Sequence, residues 1–400
     1  RGLHSAPWAD PKPGAHVARA AAYLMQGQTE AGSLCPTTMT YGAIPALQKG
    51  EQRIRDWLPT LYSREHDARD LPFAQKKGGM IGMGMTEKQG GSDVRSNTTL
   101  ARPIGNNEYL VTGHKWFFSA PMCDAHLVLA QTPNGLSCIF MPRWRPDGSK
   151  NPLQIQRLKD KLGNRSNSSS EIEFRDAWGI LLGEEGRGVP TIIEMATYTR
   201  LDCCLGTSGG MRQALSQALH HASHRSAFGA RLIEQPLMRN VLADLALETE
   251  AATVLSLRMA RAFDRLDNEA ENAFRRLVTP AAKYWICKRG PELAAEAMEV
   301  QGGNGYVDEG MLARIYREMP VNSIWEGSGN IMCLDLLRAF SKTPRALPIL
   351  MAELTPALGR HAAYDKFLGQ LQRDFGDSGN LETRARRLTQ NLALALQASL

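Results

Sequence analysis

The sequence predicts an α+β fold that is mostly α, with a helical N-terminal part, a central antiparallel β domain and a C-terminal helical bundle. Short apolar runs separated by turn residues occur between about residues 78 and 186, a spacing typical of β hairpins. From residue 187 onward, apolar residues recur with the period of helices. No long helical stretch separates the central runs, which argues against β-α-β units. We therefore place domain boundaries at 1–77, 78–186, 187–340 and 341–400.

The composition excludes several classes of protein. The 400 residues are 43% hydrophobic and 22% charged, which excludes a mainly disordered chain. No apolar run approaches the roughly 18 residues of a transmembrane helix, so we expect no membrane partner. The net charge of +6 permits a nucleic-acid partner without requiring one. The seven cysteines show no paired spacing, which predicts reduced thiols in a cytoplasmic protein rather than a disulfide framework.

Local patterns predict the elements of the first two domains. An alanine-rich stretch over residues 16–28 predicts a helix in the N-terminal part. Four apolar runs predict central strands over residues 108–111, 125–129, 138–141 and 171–174. Turn residues lie between such runs at 105–107 and 133–135, and the second set contains Asn-Gly, a strong hairpin sequence.

The C-terminal region contains two amphipathic patterns with no strand between them. Each places its apolar residues on one helical face: Val241, Leu245, Ala252, Leu255, Met259 and Ala262 in the first, and Phe274, Val278, Ala281 and Trp285 in the second. Pro280 fits the second pattern if it lies in the first turn of a helix. Long amphipathic helices of this kind predict a bundle.

Three segments combine residue types that can carry chemistry. Residues 83–93 form a loop of hydroxyl groups and glycines, in which Thr86 and Ser92 can hydrogen-bond a flat or anionic ligand. Residues 115–119 place aromatic rings beside the hydroxyl of Ser119, which suits stacking on a planar ring. Residues 324–330 flank Glu326 with an aromatic ring and small residues, which favours a desolvated carboxylate with the raised pKa of a working base. Taken singly, these segments are also compatible with a surface turn, a core strand and a solvent-exposed glutamate.

Other catalytic motifs are absent from the sequence. His220 and His224 have the i, i+4 spacing of a metal pair, but no HExxH motif accompanies them, so we expect no metal. Glu87 stands where the third glycine of a dinucleotide-binding GxGxxG motif would lie. The sequence contains neither a P-loop nor the GxSxG motif of a hydrolase.

The three segments and four others, in a fixed order, resemble the acyl-CoA dehydrogenase family of FAD enzymes. The four others are residues 161–166, 182–188, 225–229 with Gln235, and 302–306, and the resemblance spans roughly residues 75–335. Residues 85–94, 159–167 and 319–334 are similar to a branch of the family that acts in the response to DNA alkylation. The resemblance implies a C-terminal four-helix bundle with extra helices and a homotetramer. It also implies that the full-length protein continues beyond both ends of this chain.

The resemblance implies a role for individual residues. Glu326 is implied as the base that removes the α proton of an acyl-CoA thioester while a hydride leaves the β carbon for the flavin. Its backbone N–H is implied as a donor to the thioester oxygen. The residues implied to hold FAD within one chain are Met83, Thr86, Ser92, Phe117, Phe118, Ser119, Gly303, Ile324, Trp325, Ser328, Asn330 and Leu334. Those implied to contact the FAD of a neighbouring subunit are Arg225, Phe228 and Gln235.

Three positions depart from the family pattern. Thr197 stands three residues before Arg200, where many members carry an aspartate that assists acyl-CoA binding. Glu299 replaces a glutamine, and Ser119 replaces a threonine. The first departure lowers the expected affinity for acyl-CoA more than the expected affinity for FAD.

The resemblance also implies binding of double-stranded DNA through the C-terminal region. Residues 331–400 contain nine Lys or Arg and six Asp or Glu. Arg384, Arg386 and Arg387 form the densest basic cluster, which could contact phosphates without reading base sequence. Arg338 is carried over from the family as a further DNA contact. A solvated helix face would explain the same cluster without DNA.

Three functions therefore stand open at the level of sequence. The first is an FAD protein of the alkylation-response branch that binds DNA and retains weak dehydrogenase activity toward a substrate such as isovaleryl-CoA. The second is a working dehydrogenase for short or branched acyl-CoA without a DNA role. The third is a flavin-bound regulator without catalysis. The sequence favours the first, because the resemblance to that branch extends outside the active-site segments.

Overall fold

The computed structural model describes residues 2–377 and 379–400 and confirms the predicted fold class. Short helices come first, a β-sheet follows, and helices make up the rest. The chain divides into two compact units. The first contains Gly32–Thr199 and the N-terminal segment up to Lys12, and the second contains Pro13–Ala31 and Arg200–Leu400.

The N-terminal helices are shared between the two units. Their bounds are α1 (Ala6–Ala9), α2 (Ala15–Gly27), α3 (Leu34–Gln48), α4 (Gln52–Arg55) and α5 (Leu58–Tyr62). In the first unit, the rings of Trp8 and Tyr41 both meet Tyr198 edge-on. In the second unit, Arg19 on α2 forms a buried ion pair with Asp202. Helix α2 confirms the helix predicted from the alanine-rich stretch.

The sheet of the first unit closes on itself. Its strands are β1 (Ile81–Gly84), β2 (Leu100–Gly105), β3 (Glu108–Ser119), β4 (Ala125–Thr132), β5 (Gly135–Pro142), β6 (Leu153–Leu158) and β7 (Ser169–Leu182). Strands β4, β2, β3, β7 and β5 pair in that order, and β5 pairs again with β4. Strand β1 adds to β4, and β6 adds to β7. The four predicted strands are confirmed within β3, β4, β5 and β7.

The sheet is antiparallel except along one side of β4. There β1 runs parallel to β4, with Ile81 opposite Ala125, and Leu100 of β2 pairs parallel with Gln131. Strands β2 and β4 both run opposite in direction to β3, so β2 and β4 are parallel to each other where they pair. This closure was not visible in the sequence.

The two predicted turns form the tips of hairpins. Asn106 and Asn107 both adopt positive φ, 52° and 57°, between antiparallel β2 and β3. Positive φ at both central positions matches the twist of a two-residue hairpin, and asparagine tolerates it. The Asn-Gly sequence at 134–135 joins antiparallel β4 and β5, which confirms the second hairpin.

The rest of the chain is helical apart from one small hairpin. Its elements are α6 (Gly188–His224), β8 (Ser226–Ala227), β9 (Ala230–Arg231), α7 (Pro236–Phe263), α8 (Glu269–Gln301), α9 (Gly303–Tyr306), α10 (Met311–Asn322), α11 (Gly329–Lys342), α12 (Ala346–Leu354), α13 (Ala362–Gly376) and α14 (Leu381–Ser399). The division between the units falls within α6, between Thr199 and Arg200. Helix α8 packs against α7, α10, α11, α12 and α14, so it forms the centre of the second unit.

Both amphipathic patterns lie on helices, α7 and α8, as predicted. The expectation that Pro280 lies in a first turn is wrong. Helix α8 begins at Glu269, capped by the side chain of Asn268, so Pro280 and Pro291 both lie inside it. A proline there removes one backbone hydrogen bond. Because neighbouring helices pack along α8, burial maintains the helix despite that loss.

Two further expectations can be compared with the structure. All seven cysteines are free thiols, as their spacing predicted. Among the described residues, no helix is both long enough and apolar enough to cross a membrane.

Candidate functional site

The predicted glycine-rich loop follows β1 and is fixed to the neighbouring strand. Met83 lies on β1 and is half-buried against the core of the sheet. The carbonyl of Thr86 accepts the backbone N–H of Trp116 on β3 at 2.8 Å. A Cβ on Gly91 would lie 2.4 Å from Oγ1 of Thr86, so only glycine lets the loop return this closely. Ser92 is exposed beyond this return.

A buried ion pair holds the base of the loop. Nζ of Lys115 on β3 lies 2.7 Å from Oε1 of Glu87, and both side chains are fully buried. The other oxygen of Glu87 accepts the N–H and the hydroxyl of Thr98 at 2.7 and 3.0 Å. Glu87 also accepts the N–H of Thr99 and the side-chain amide of Gln89. The carboxylate is therefore saturated with donors, which a buried charge requires.

The protonation of this pair follows from its surroundings. Burial acts to raise the pKa of Glu87, but the bonds from Lys115 and Thr98 outweigh it and hold that pKa well below its usual range. Burial lowers the pKa of Lys115 to about 8, against the opposing effect of Glu87. Both groups are consequently charged at neutral pH. Sequence reasoning missed this pair, since Glu87 was noted only for breaking a glycine motif.

The end of β3 separates two neighbouring phenylalanines. Phe117 is 50% exposed, and Phe118 is fully buried. The Phe118 ring lies 4.2 Å from that of His126 and edge-on to Phe174, inside the sheet. Successive strand residues point to opposite faces, so only Phe117 can meet a ligand. The prediction of Phe118 as a cofactor contact is wrong, because its side chain belongs to the core.

Ser119 lies beside Phe117 and is half-buried. Its Oγ accepts the side-chain amide of Asn167 at 3.3 Å. The amide oxygen of Asn167 is buried and has no hydrogen-bond partner among the described residues. An orphaned acceptor beside a hydroxyl and an exposed ring indicates a surface completed by a ligand with polar and planar parts.

In the second unit, Glu326 lies in the link between α10 and α11. Its φ is 58°, in the left-handed region that side-chain-bearing residues rarely adopt. The next residue, Gly327, has a φ of 103°, and a Cβ there would lie 2.4 Å from the end of Met332. Such conformations persist only where the surroundings enforce them, and they concentrate at functional sites.

Two buried cations enforce the conformation of this link. Nζ of Lys283 donates to the carbonyl oxygens of Trp325 at 2.8 Å and Gly327 at 2.5 Å. Nε of Arg200 donates to the carbonyl oxygen of Glu326 at 2.9 Å. Three successive carbonyls are thus held by side chains from α8 and α6, and both side chains are buried.

Asp335 on α11 supplies a carboxylate to this cluster. Its carboxylate lies 2.9 Å from Arg200 and 2.7 Å from Arg276, and Arg338 approaches to 3.8 Å. Burial acts to raise the pKa of Asp335, but the arginines outweigh it and lower that pKa below its usual range. Asp335 therefore stays ionised and keeps Arg200 in place.

The remaining predicted residues of the link surround Glu326 in sequence and differ in exposure. Ile324 is 65% exposed, whereas Trp325 is half-buried and donates from its indole to Asn322 at 3.0 Å. Ser328 is the N-cap residue of α11, and Leu334 is half-buried further along that helix.

The segment expected to reach a neighbouring subunit is a small exposed hairpin. Phe228 lies at its tip between β8 and β9, is 100% exposed, and adopts a φ of 51°. Gln235 ties the hairpin to the start of α7 through a bond to the carbonyl of Ala227 at 2.9 Å. Arg225 is exposed at the base. Gly303 begins α9 elsewhere on the second unit and is also exposed.

The predicted basic cluster divides between two roles. Arg384 donates to the carbonyls of Asp377 and Gly379 and pairs with the Asp377 carboxylate at 3.1 Å. It therefore helps to fix its own loop, and these bonds compete with the DNA contact predicted for it. Arg386 donates to the side-chain oxygen of Asn330 at 2.7 Å, while Arg387 is exposed.

Sequence reasoning missed Lys283 and the partners of Asp335. Lys283 is the one charged residue in the stretch 277–287, within the helix that lies at the centre of the second unit. A lone charge in such a stretch marks a buried cation that needs specific partners. No group of three or more His, Cys, Asp or Glu side chains in the described part of the chain could hold a metal ion.

Known proteins match this chain over most of its length. Residues 82–177 match the family model for the acyl-CoA dehydrogenase middle domain, and residues 186–340 match the model for the C-terminal domain. Residues 1–68 match the model for the N-terminal domain of the adaptive response protein AidB. The AidB protein of Escherichia coli K12 is 52% identical over 98% of this chain and 72% of its own length.

Solved structures agree with these matches. Caenorhabditis elegans ACDH-11, solved in complex with C11-CoA, aligns with a TM-score of 0.92 and 27% identity over 100% of this chain and 72% of that chain. The apo form of Bd2924 aligns with a TM-score of 0.90 and 29% identity, over 100% of this chain and 80% of that chain. The chain belongs to the acyl-CoA dehydrogenase family, a class of FAD-dependent oxidoreductases. Within that family it is an AidB-type homologue.

The residues present fit the family's cofactor. In the first unit, the half-exposed Phe117 ring stands near the Ser119 hydroxyl and the orphaned acceptor oxygen of Asn167, a combination suited to a planar ring with a polar edge. Nζ of Lys159 also lies 4.6 Å from the centre of the Phe117 ring. In the second unit, Phe228 offers a fully exposed ring.

We expect Lys115→Met to destabilise the protein by about 3–5 kcal/mol at pH 7, because it leaves the Glu87 carboxylate buried and unpaired. In the unchanged protein, the lowered pKa of Glu87 stabilises the fold above the ordinary value of 4.5, and this contribution is lost as the pH falls below it. Without Lys115, burial raises that pKa, so the penalty shrinks as the pH falls from 7 to 5. Urea unfolding at both pH values measures this difference.

The matched control is the double variant Lys115→Met with Glu87→Gln. Removing the charge as well as its partner restores part of the lost stability at pH 7. A penalty that does not change with pH would show that packing, rather than the ion pair, sets the stability of this loop.

Proposed function

We propose that this protein oxidises an acyl-CoA thioester between its α and β carbons, with Glu326 as the base. The observation that carries the proposal is the enforced left-handed conformation at Glu326, whose own carbonyl is held by Arg200 and whose flanking carbonyls are held by Lys283. A strained backbone fixed by two buried cations restrains the N–H of Glu326 and the direction in which its side chain leaves the backbone. That preorganisation is what proton abstraction beside a carbonyl requires.

The residues proposed to hold FAD are those that the structure leaves accessible or half-buried. They are Met83, Thr86, Ser92, Phe117 and Ser119 in the first unit, and Gly303, Ile324, Trp325, Ser328, Asn330 and Leu334 in the second. When bound, FAD supplies the acceptor for the hydride that leaves the β carbon. Phe117 would stack on the planar ring, and the hydroxyl groups would hydrogen-bond its polar edge.

The chain's own part in the reaction is to move one proton and to hold one oxygen. The Glu326 carboxylate takes the α proton of the thioester. As that proton leaves, negative charge develops on the thioester oxygen. The backbone N–H of Glu326 donates to this oxygen and stabilises the charge.

The proposed substrate is a short or branched acyl-CoA such as isovaleryl-CoA, oxidised slowly. Thr197 carries no charge where the family pattern often has an aspartate, and this lowers the expected affinity for acyl-CoA. The structural relative solved with C11-CoA shows that this fold accommodates a longer acyl chain in that protein.

The exposed hairpin supports a homotetramer. The Phe228 ring is fully exposed in a left-handed turn, so its apolar surface contacts water unless a partner covers it. Such exposure of apolar surface is unfavourable and is typical of interaction sites. We assign Phe228, Arg225 and Gln235 to the FAD of a neighbouring subunit. The FAD site would then be complete only in the assembly.

The chain is also proposed to bind double-stranded DNA in the cytoplasm and to act in the response to alkylation. Its support is the 52% identity to E. coli AidB and the match to the AidB N-terminal domain. Arg338, Arg386 and Arg387 are exposed on α11 and α14 of the second unit and are the proposed phosphate contacts. Arg384 is left out of this set because its two terminal nitrogens bond and pair within its own loop.

A dehydrogenase without a DNA role is the second candidate. It is favoured by the internal contacts of the basic residues, since Arg386 is bonded to Asn330 and Arg338 lies near Asp335. Arginines used in this way are less available to phosphates. Binding measurements at several salt concentrations separate the two candidates.

Glu326→Gln is expected to lower the turnover of acyl-CoA by about 10²–10⁴-fold while FAD remains bound, because the amide cannot accept the α proton. Anaerobic single-turnover absorbance and the bound FAD content measure the two effects. Glu309→Gln, an exposed glutamate outside the site, is the control and leaves both unchanged. Unchanged turnover in Glu326→Gln would contradict the assignment of the base.

Arg338→Gln and Arg387→Gln are each expected to reduce the slope of log affinity against log salt concentration for duplex DNA by about 1, since each removes one phosphate contact. Arg102→Gln, on an exposed part of β2, serves as the control and keeps the slope. Arg384→Gln lowers the thermal stability instead of the slope. Equal slopes for all variants would favour the dehydrogenase without a DNA role.

A further inference from the structure

We infer that Lys283 is a positioning residue for the reaction, which aims and polarises the backbone N–H of Glu326 toward the thioester oxygen. The inference rests on the proposed function, because it gives Lys283 a task within that site. Lys283 itself touches neither substrate nor cofactor in this account. It acts through the peptide group between Trp325 and Glu326.

The position of Lys283 leaves its ammonium group few partners. The side chain is 1% exposed on α8, the central helix of the second unit. A buried ammonium must be satisfied by hydrogen bonds, and its Nζ donates to the carbonyls of Trp325 and Gly327. The charge is therefore directed at the two carbonyls that flank Glu326, one on each side.

Peptide geometry carries this restraint to the reacting side. In a trans peptide, the carbonyl oxygen and the following N–H point in opposite directions, and the described residues contain no cis peptide. Because Lys283 holds the oxygen of Trp325, the N–H of Glu326 points away from Lys283. Arg200 and Lys283 hold the carbonyl oxygens of the next two peptides as well.

Lys283 also strengthens the N–H that it aims. A cation bonded to a carbonyl draws electron density from the peptide group and makes the N–H on its far side a better donor. Arg200 bonds the carbonyl of Glu326 similarly and pairs with Asp335. Lys283 bonds the carbonyl of the peptide group that carries the N–H of Glu326, so it acts directly on the donor proposed for the thioester oxygen.

The alternative is that Lys283 only ties α8 to the link and contributes to stability. The two roles predict different effects on a bound thioester. A tether affects the unfolding temperature and the affinity for any ligand. A polarising group specifically favours ligands that carry negative charge on the thioester oxygen.

Acetoacetyl-CoA is the probe, because it can ionise to an enolate but has no β hydrogen to give as hydride. Its ionisation on the FAD-loaded protein is followed by enolate absorbance from pH 5 to 9. In Lys283→Met, the enolate is expected to be about 10- to 100-fold less favoured than on the unchanged protein, so ionisation occurs at a higher pH. Lys366→Met, an exposed lysine on α13, is the matched control and leaves ionisation unchanged.

Hydrogen exchange of residues 325–328 in the flavin-free protein gives a second readout. Loss of Lys283 is expected to speed exchange there at least tenfold, while exchange in α7 stays unchanged. If Lys283→Met does not fold, Lys283→Gln replaces it. Glutamine keeps a donor but not the charge, so it predicts a smaller effect on enolate formation in the same direction.

The possible outcomes distinguish failure of this inference from failure of the proposed function on which it rests. Binding of acetoacetyl-CoA with unshifted ionisation in the Lys283 variants overturns the positioning role and leaves the proposed function intact. Failure of the unchanged FAD-loaded protein to bind acetoacetyl-CoA at all overturns the proposed function and the inference with it. A shift in Lys283→Met that Lys366→Met does not show supports the positioning role.

Discussion

Two buried cations hold three successive carbonyl oxygens, and the chemistry proposed for this protein depends on that arrangement. Lys283 bonds the carbonyls of Trp325 and Gly327, and Arg200 bonds that of Glu326. Neither cation could be buried without these acceptors, and Arg200 also depends on the carboxylate of Asp335. The left-handed backbone at Glu326 could not persist without the cations. The bundle and the strained link therefore stabilise each other, and the backbone that carries the proposed base is held in one conformation.

In the first unit, a buried ion pair restrains the backbone of a loop. This glycine-rich loop is held from below by Glu87 and Lys115, which leaves Thr86 and Ser92 less buried than the pair beneath them. In both units, a buried charge network fixes backbone whose outer side is left for a ligand. Rigid support of this kind keeps a binding surface in one geometry before the ligand arrives. The basic residues of the second unit do not share one network of this kind. Arg384, Arg386 and Arg338 each contact a different part of the chain.

The sequence predicted the order of helices and strands, because apolar periodicity and Asn-Gly turns are local features, and family motifs led to Glu326 as the proposed base. It did not predict which of Phe117 and Phe118 is buried. Adjacent strand residues point to opposite faces, and identical residues carry no information about which face is the core. Arg384 and Arg386 differ for a similar reason, since residues two apart on a helix face different neighbours. Lys283 was missed because its burial depends on helices distant in sequence that surround α8.

The most direct measurement is an anaerobic titration of the FAD-loaded protein with acyl-CoA thioesters, followed by flavin absorbance. Straight, branched and eleven-carbon chains would be compared. The account predicts that at least one thioester bleaches the flavin in one-to-one proportion to bound FAD. Flavin that stays oxidised with every thioester, while FAD is shown to be bound, would contradict it.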